Sequence, residues 1–412
     1  MALPLHGLRV VDFTRVLAGP HCGKHLLDLG ADVIKIEPPT GDVSRLSFPK
    51  QGAISGYYAQ QNAGKRNISI DLNIPEARKI ALELCDTADV VIENFRPGAL
   101  GFFGLDYESV ARRNPRVVYV SMSGYGQRGP WRSRMAYAPT VQAETGFTSN
   151  TLRHFDLADG DDRQTDPLSH ADVYTGLHGL VAVLAALNHR HATGEGQYVD
   201  VAMAAVMTSI NERTHYDLSG IDLGAEPPIL GAADVNFFIS PEGREFVISA
   251  SLVSSLTFPF YLNAMRRHDL ADDPLFRTPE LRARHIHKLR AIVQTWIYTF
   301  DDMASLDAQL DEAKMASGYV RTPEDFAAGE WAQTWPAVRE VPDRAGGRIT
   351  IPGSPWHFGS NNEEPAAVEQ IPAFQGEHNH AVLSELGYDE DTIANLVAKG
   401  ALVEPDRETV EP

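Results

Sequence analysis

One carboxylate stands out by its setting. Asp172 lies in HADVYTGLHGLVAVLAAL, where Leu177, Leu180, Val181 and Leu184 recur at helical spacing, so it falls at or near the start of an apolar helix. Two roles compete there. As an N-cap, its side chain would accept backbone N–H bonds of the first turn, and spacing alone favours this plainer role. As a nucleophile, it would be held ionised by the positive end of the helix and oriented by nearby backbone N–H groups. The two roles are compatible. The histidines do not compete for attention: His285 and His287 are two apart on an expected helix and point to different faces, and His378 and His380 sit at a helix entrance. Without Cys or carboxylate partners at ligand spacing, no metal is expected.

The elements that must position Asp172 read as strand–helix–strand. Leu8–Phe13 is a β-branched run, and a helix is expected from Pro20, with Cys22, Leu26 and Leu29 on one face and Gly30 at its end. Asp32–Glu37 is a second strand, Asn67–Leu72 a third, and Pro75 opens a helix burying Ala77, Ile80, Ala81 and Leu84. Asp89–Asn94 and Arg116–Gly124 follow as strands, joined by a helical connection. Crossovers of this length imply a mostly parallel sheet covered on both faces, an α/β Rossmann-like large domain. Such a sheet binds ligand beyond its carboxyl ends, here Arg15–Ala18, Glu37–Gly41, Asn73, Asn94–Gly98 and Gly124–Gly129. None of these carries GxGxxG or a phosphate loop, which weighs against nicotinamide and P-loop chemistry.

The texture changes near Pro227-Pro228. A hairpin is expected from VNFFIS and REFVISA around Pro241-Glu242-Gly243, then helices over Ser254–His268, Pro279–Phe300 and Asp302–Met315. VREVPDRAGGRITIP reads as a second hairpin, and two short helices close the chain. The expected domains are therefore 1–225, a smaller α+β domain at 226–335, and 336–412 returning to complete the first.

With 36 basic and 55 acidic residues, the net charge of −19 opposes binding to nucleic acid or an anionic membrane. A polyanionic ligand needs a local basic pocket. Cys22 and Cys85 are too few for a disulfide framework. The opening MALPLHGLRVVDF lacks the marks of a signal peptide, and no apolar run reaches the ~20 residues of a bilayer span. A cytoplasmic location is expected.

Taken in order, GLRVVDFTRVLAGP, LGADVIKIEPPTGDVSR, NAGKRNISIDL, VIENFRPGALGFFGL, NPRVVYVSMSGYGQRGP, ADVYTGLHG and TGEGQYVDVAM resemble the class III CoA-transferases. That family includes formyl-CoA and carnitine CoA-transferases and is related to the α-methylacyl-CoA racemases. The resemblance, which extends through VRTPEDF to ELGYDEDTIANLVAKGAL, implies transfer of CoA from an acyl-CoA thioester to a free carboxylic acid. Asp172 matches the attacking aspartate, which forms a mixed anhydride and then an aspartyl-CoA thioester. The CoA-binding segments match Arg15, Val16, Leu17 and Ala18; Ile70, Asp71, Leu72 and Asn73; and Asn94, Phe95 and Arg96. For the phosphates, Arg96 is the first choice, with Arg15, Lys65 and Arg66 as further candidates. Pro38, Phe102 and Met135 stand where formyl-CoA transferase has basic residues.

The resemblance also implies an interlocked homodimer, with coenzyme A as a substrate and no tightly bound cofactor. Tyr137 occupies the stretch in which a racemase needs a histidine, and a phenol of pKa near ~10 is a poor base at neutral pH. Tyr137 therefore favours transferase, and its place is to line the acyl-CoA pocket or to pack. A CoA-thioester racemase and a non-catalytic CoA-binding regulator remain as alternatives.

Overall fold

Alternation within the β-branched runs decides what each strand faces. The structure, a computed structural model, describes residues 2–154, 167–222, 224–225, 236–335, 337–358 and 370–405. It forms two units, residues 1–210 with 330–412, and residues 211–329. The first begins β1 (Arg9–Asp12), α1 (Ala18–Asp28), β2 (Asp32–Glu37), a small hairpin of β3 (Lys50–Gln51) and β4 (Ile54–Ser55), and α2 (Gly56–Asn62). Then come β5 (Arg66–Ser69), α3 (Pro75–Thr87), β6 (Val90–Glu93), α4 (Tyr107–Arg113) and β7 (Val118–Ser123). The run ends with α5 (Ala138–Glu144), α6 (Phe147–His154), α7 (His170–Thr193), β8 (Gln197–Ala202) and α8 (Met203–Ile210).

Six strands pair in parallel in the order β5-β2-β1-β6-β7-β8. Counted among themselves they run 3-2-1-4-5-6, the doubly wound order, with its reversal between β1 and β6. Val11, Ile34 and Val91 point to the side covered by Ala77, Ile80, Ala81 and Leu84 of α3. Val10, Val33, Val90 and Val118 point to the other, against Cys22 and Leu26 of α1 and Leu180 and Val183 of α7. Both faces are thus apolar, as a buried parallel sheet requires.

Helix α7 departs from its expected packing. Its buried stripe is Ala171, Thr175, Gly176, Gly179, Leu180, Val183 and Ala186, whereas Val181 is 63% and Leu184 37% exposed. Small residues dominate this stripe, with Leu180 the leucine in it, because α7 lies close against α1: a Cβ on Gly176 would stand 2.6 Å from the Ala18 carbonyl oxygen. Among the described helices, α7 alone is long and apolar enough to cross a membrane, and here it covers the sheet.

The second unit starts at Asn211, before the expected position 226, and ends at Gly329; Pro227 and Pro228 lie outside the described residues. It holds α9 (Thr214–Asp217), the antiparallel hairpin β9 (Asn236–Ile239) and β10 (Glu245–Ile248), α10 (Phe258–Met265), α11 (Pro279–Arg284), α12 (Ile286–Ile297), α13 (Met303–Glu312), β11 (Ser317–Tyr319) and α14 (Pro323–Ala327). The single helix expected over 279–300 is two, divided at His285, and β11 extends the hairpin. Phe246, Ile248, Leu289, Val293 and Leu306 form its core.

The chain returns to the first unit through α15 (Glu330–Thr334), the hairpin β12 (Val338–Pro342) and β13 (Arg348–Pro352), α16 (Asn379–Glu385) and α17 (Glu390–Ala398). Val382, Leu383, Ile393 and Leu396 from the last two helices join the α3 side of the core.

Candidate active site

At the reversal of strand order, the loops after β1 and β6 grip each other. Arg15 N–H donates to Asn94 Oδ1 at 2.8 Å, and Asn94 Nδ2 donates to the Arg15 carbonyl at 2.9 Å. Beside this pair opens a cavity of about 450 Å³. Arg15, Ile70, Asp71, Leu72, Asn73 and Phe95 line it, so half of the expected CoA-contact residues meet in one place. Its apolar wall is Phe13, Ile36, Leu100 and Phe103, and Pro38, Pro39 and Thr40 form its edge. Arg15 Nη2 donates to the Gly41 carbonyl at 3.2 Å, while its buried Nε has no partner among the described residues. Asn94 is the brace behind this wall. Arg96 is exposed, outside the lining, and makes no side-chain bond among the described residues.

Two loops around the cavity are held from outside it. Arg78 of α3 donates to the carbonyls of Leu72 and Asn73 at 2.6 and 3.0 Å. Glu93 accepts the Phe95 N–H at 2.8 Å, and burial raises its carboxyl to about 7 against the bonds from Ser121 and Phe95. Nothing in the spacing of the sequence marks either residue.

Lys65 and Arg66 are not available to a phosphate. Lys65 is 2% exposed, and its Nζ binds Asp12 Oδ2 at 2.9 Å, the Pro20 carbonyl at 2.9 Å and Asn62 Oδ1 at 3.0 Å. Arg66 pairs with Asp32 at 2.5 Å and with Glu385 at 2.5 Å. Neighbours in sequence, they alternate across β5 and its approach, one facing an interior carboxylate and the other two surface carboxylates.

Asp172 is the third residue of α7, not its N-cap. Ser169 holds the cap position, and the Ala171 N–H is satisfied from α5 by Gln142 Oε1 at 3.3 Å. The Asp172 carboxylate instead faces the start of α1, whose Ala18 N–H favours its charged form, so the positive ends of two helices converge on it. Burial nevertheless lifts its carboxyl to about 6, with only the Ala18 N–H opposing. Tyr57 of α2, which the sequence analysis missed, is near enough for the charge of Asp172 to add to the burial that raises its phenol.

Val16, Leu17 and Ala18 are not in the cavity lining: they carry the chain from Arg15, at the cavity, to the N–H that meets Asp172. Ala18 packs with Ala138, Val141, Ala171 and Met203. Tyr137, immediately before Ala138, begins α5 and is 63% exposed. It precedes Ala138, which packs with Ala171 next to Asp172, and is not part of the cavity wall. Among the described residues no three His, Cys, Asp or Glu side chains converge as a metal site.

The closeness of α7 to α1 yields a direct test. Gly176→Ala puts a methyl 2.6 Å from the Ala18 carbonyl and 3.0 Å from His21 Cβ. Backbone must move, so a loss of about 1–3 kcal/mol is expected with a fall in kcat of about tenfold or more. A wild-type rate and melting temperature would mean that the helix spacing does not set the site.

The family model for CoA-transferase family III matches residues 5–379. The chain belongs to CoA-transferase family III. This family III CoA-transferase is 34% identical to the succinate–glutarate CoA-transferase of Agrobacterium fabrum, over 94% of this chain and 97% of that protein. It is 32% identical to the succinyl-CoA:mesaconate CoA-transferase of Haloarcula hispanica, covering 94% of this chain and 98% of the other. The crystal structure of a CAIB/BAIF family protein from Brucella suis superposes with a TM-score of 0.73 at 30% identity, covering 94% of this chain and all of that one. As a family III CoA-transferase, the enzyme takes CoA thioesters as substrates, and the racemase alternative is not favoured.

Proposed function

We propose that the enzyme moves CoA from an acyl-CoA donor to a carboxylate acceptor by covalent catalysis at Asp172. The observation that carries this is the setting of that carboxylate: partly buried, ionised near neutral pH, and met by the Ala18 N–H. Asp172 attacks the thioester carbonyl, the C–S bond breaks, and a mixed anhydride and CoA thiolate result. The thiolate attacks the aspartyl carbonyl, which releases the donor acid and leaves an aspartyl-CoA thioester. The acceptor carboxylate then attacks that thioester, and CoA returns to the new anhydride to give the product and free Asp172. The Ala18 N–H, already directed at the carboxyl, is the candidate donor to oxygens that gain charge on the way.

Coenzyme A fits the cavity as a substrate held through its nucleotide. Aromatic Phe95 and Phe103 offer a surface for a planar base, and the unpartnered Arg15 Nε offers a charged donor for phosphate. Arg15 thereby displaces Arg96 as the first choice. Arg15→Ala should raise KM for CoA thioesters about tenfold with a smaller change in kcat, and Arg96→Ala should raise it less. Equal effects, or none for Arg15, would remove the phosphate role.

The relatives named for succinate, glutarate and mesaconate support short dicarboxylic acids as the first acceptors to screen. Exchange of labelled CoA between a thioester and a free acid tests the transferase reading. Its absence across that screen, with deuterium wash-in at the α-carbon instead, would replace it by the racemase.

A homodimer in the cytoplasm completes the proposal. The exposed apolar row of Tyr174, Val181 and Leu184 on α7, together with Leu168, supports a subunit contact. Light scattering at low micromolar concentration should give about twice the 45.2 kDa chain mass. An active monomer would refute the dimer.

A further inference from the structure

Val16 has φ = +70°, in the left-handed region that a β-branched residue almost never occupies. Such a conformation persists only where the surroundings over-determine it. Here the three residues Thr14 to Val16 have their backbone held by side chains from elsewhere. Thr14 N–H donates to Asp12 Oδ1 at 2.8 Å, and Lys35 Nζ donates to the Thr14 carbonyl at 2.7 Å. Asn94 holds both the N–H and the carbonyl of Arg15, as described above. Val16 N–H is shared between the two carboxylate oxygens of Asp42, each at 3.3 Å.

Asp42 is suited to that task. It is 1% exposed, and its other contacts are Lys35 Nζ at 3.0 Å and the N–H and hydroxyl of Ser44 at 3.0 and 2.9 Å. Burial alone would raise its carboxyl, but Lys35 and Ser44 hold it at about 2, so it is an acceptor throughout the working pH range. Lys35 is itself fully buried. Tyr57 feels the charges of both Asp42 and Asp172.

Two residues beyond Val16 is the N–H that meets Asp172. We propose that Asp42 is a positioning residue, holding Val16 in its left-handed turn so that the Ala18 N–H stays aimed at the Asp172 carboxylate. Without that turn, the segment leaving Arg15 would enter α1 in another direction, and Ala18, which packs with Ala171 and lies close to Gly176 on α7, would no longer present its N–H to Asp172. The inference rests on the reading of Asp172 as nucleophile for its meaning in catalysis, but not for its geometry. Among the described residues of the elements packed there, Tyr57 of α2 feels the Asp172 charge, and His21 of α1, which burial keeps neutral, lies beside Gly176 of α7.

The test is a titration of the Asp172 carboxyl by ¹³C NMR, assigned by its loss in Asp172→Asn, alongside kcat and KM. Three full-length variants are compared with wild type. Asp42→Asn sets an amide against Lys35 and Val16. Val16→Pro leaves the ion pair intact but cannot adopt positive φ and has no N–H to offer Asp42. Asp42→Asn with Val16→Gly supplies a residue that takes the left-handed turn without strain. In the first two, the Asp172 titration should move upward by about half a pH unit or more, as the Ala18 N–H ceases to favour the charged carboxyl. Their kcat should fall about tenfold with less change in KM, and the glycine double variant should recover most of both.

An unmoved titration in a folded Val16→Pro protein overturns the proposal, as does an Asp42→Asn loss of equal size with and without Val16→Gly. Should Asp42→Asn not fold, Val16→Pro decides alone. A titration that moves while Asp172 forms no covalent adduct would leave the positioning role standing and remove the nucleophile. An adduct with a static titration would do the reverse.

Discussion

Asp172→Asn is expected to fold more stably than the wild type while losing CoA exchange by several orders of magnitude. The two effects have one origin. Burial raises the Asp172 carboxyl to about 6, well above its ordinary range, so ionising it opposes folding. A carboxyl with a raised folded-state pKa penalises the native state above that value and not below its unfolded pKa near ~4. Replacement by a neutral amide should therefore stabilise the protein at pH 7–8 by on the order of 2–3 kcal/mol, with the gain fading as pH falls toward 4. Helix capping is not at stake, since Ser169 holds the cap position. An amide cannot form the anhydride, so exchange should stop although the fold is firmer. Urea midpoints across pH, measured beside exchange rates, check both halves. The same ionisation gives wild-type activity an acid limb near pH 6, below which the carboxyl is protonated and cannot attack.

Lys65→Met should be the most destabilising substitution in the large unit outside its apolar core. Its ammonium lies between Asp12, Asn62 and the Pro20 carbonyl at the back of α1, and Gly23 leaves the space in which the pair fits: a Cβ there would stand 2.7 Å from Asp12 and 3.0 Å from Lys65. Burial pulls the Lys65 pKa down more than Asp12 restores it, so the pair holds the interior together without excess stability. Removing the lysine leaves the buried Asp12 charge without its direct ion-pair partner, held only by the Thr14 N–H and hydroxyl and the more distant Lys35, which costs about 3 kcal/mol. Removing both, in Asp12→Leu with Lys65→Met, should cost less than Lys65→Met alone. A higher KM for CoA thioesters with unchanged stability would instead return Lys65 to the phosphate site.

What the sequence made legible follows from the range of the forces involved. The five strands β1, β2, β5, β6 and β7 and the helix α3 are written in local periodicity, because a sheet buried on both faces demands apolar residues at nearly every position. Strand β8 carries no such periodicity: QYVDVA mixes exposed and buried positions at the sheet edge. The short α2, GYYAQQN, has too few turns for a readable stripe, and with it Tyr57 was missed. On α7 the large apolar residues suggest the buried face, but contact through Gly176 and Gly179 leaves Val181 and Leu184 outward and only Leu180 of that set inside, among the residues described. Asp172 was legible as a helix-start carboxylate and through the family resemblance, while the Ala18 N–H that meets it comes from a helix about 150 residues away in sequence. The pairings Lys65–Asp12, Lys35–Asp42 and Arg15–Asn94 are equally non-local, and no spacing rule reports them.

The covalent role of Asp172 is tested most directly by trapping. Wild-type enzyme incubated with an acyl-CoA it accepts, then quenched with hydroxylamine and digested, should carry a hydroxamate at residue 172, seen by peptide mass mapping, with none in Asp172→Asn. Full exchange activity with residue 172 unmodified, or a hydroxamate at another carboxylate, would contradict the account.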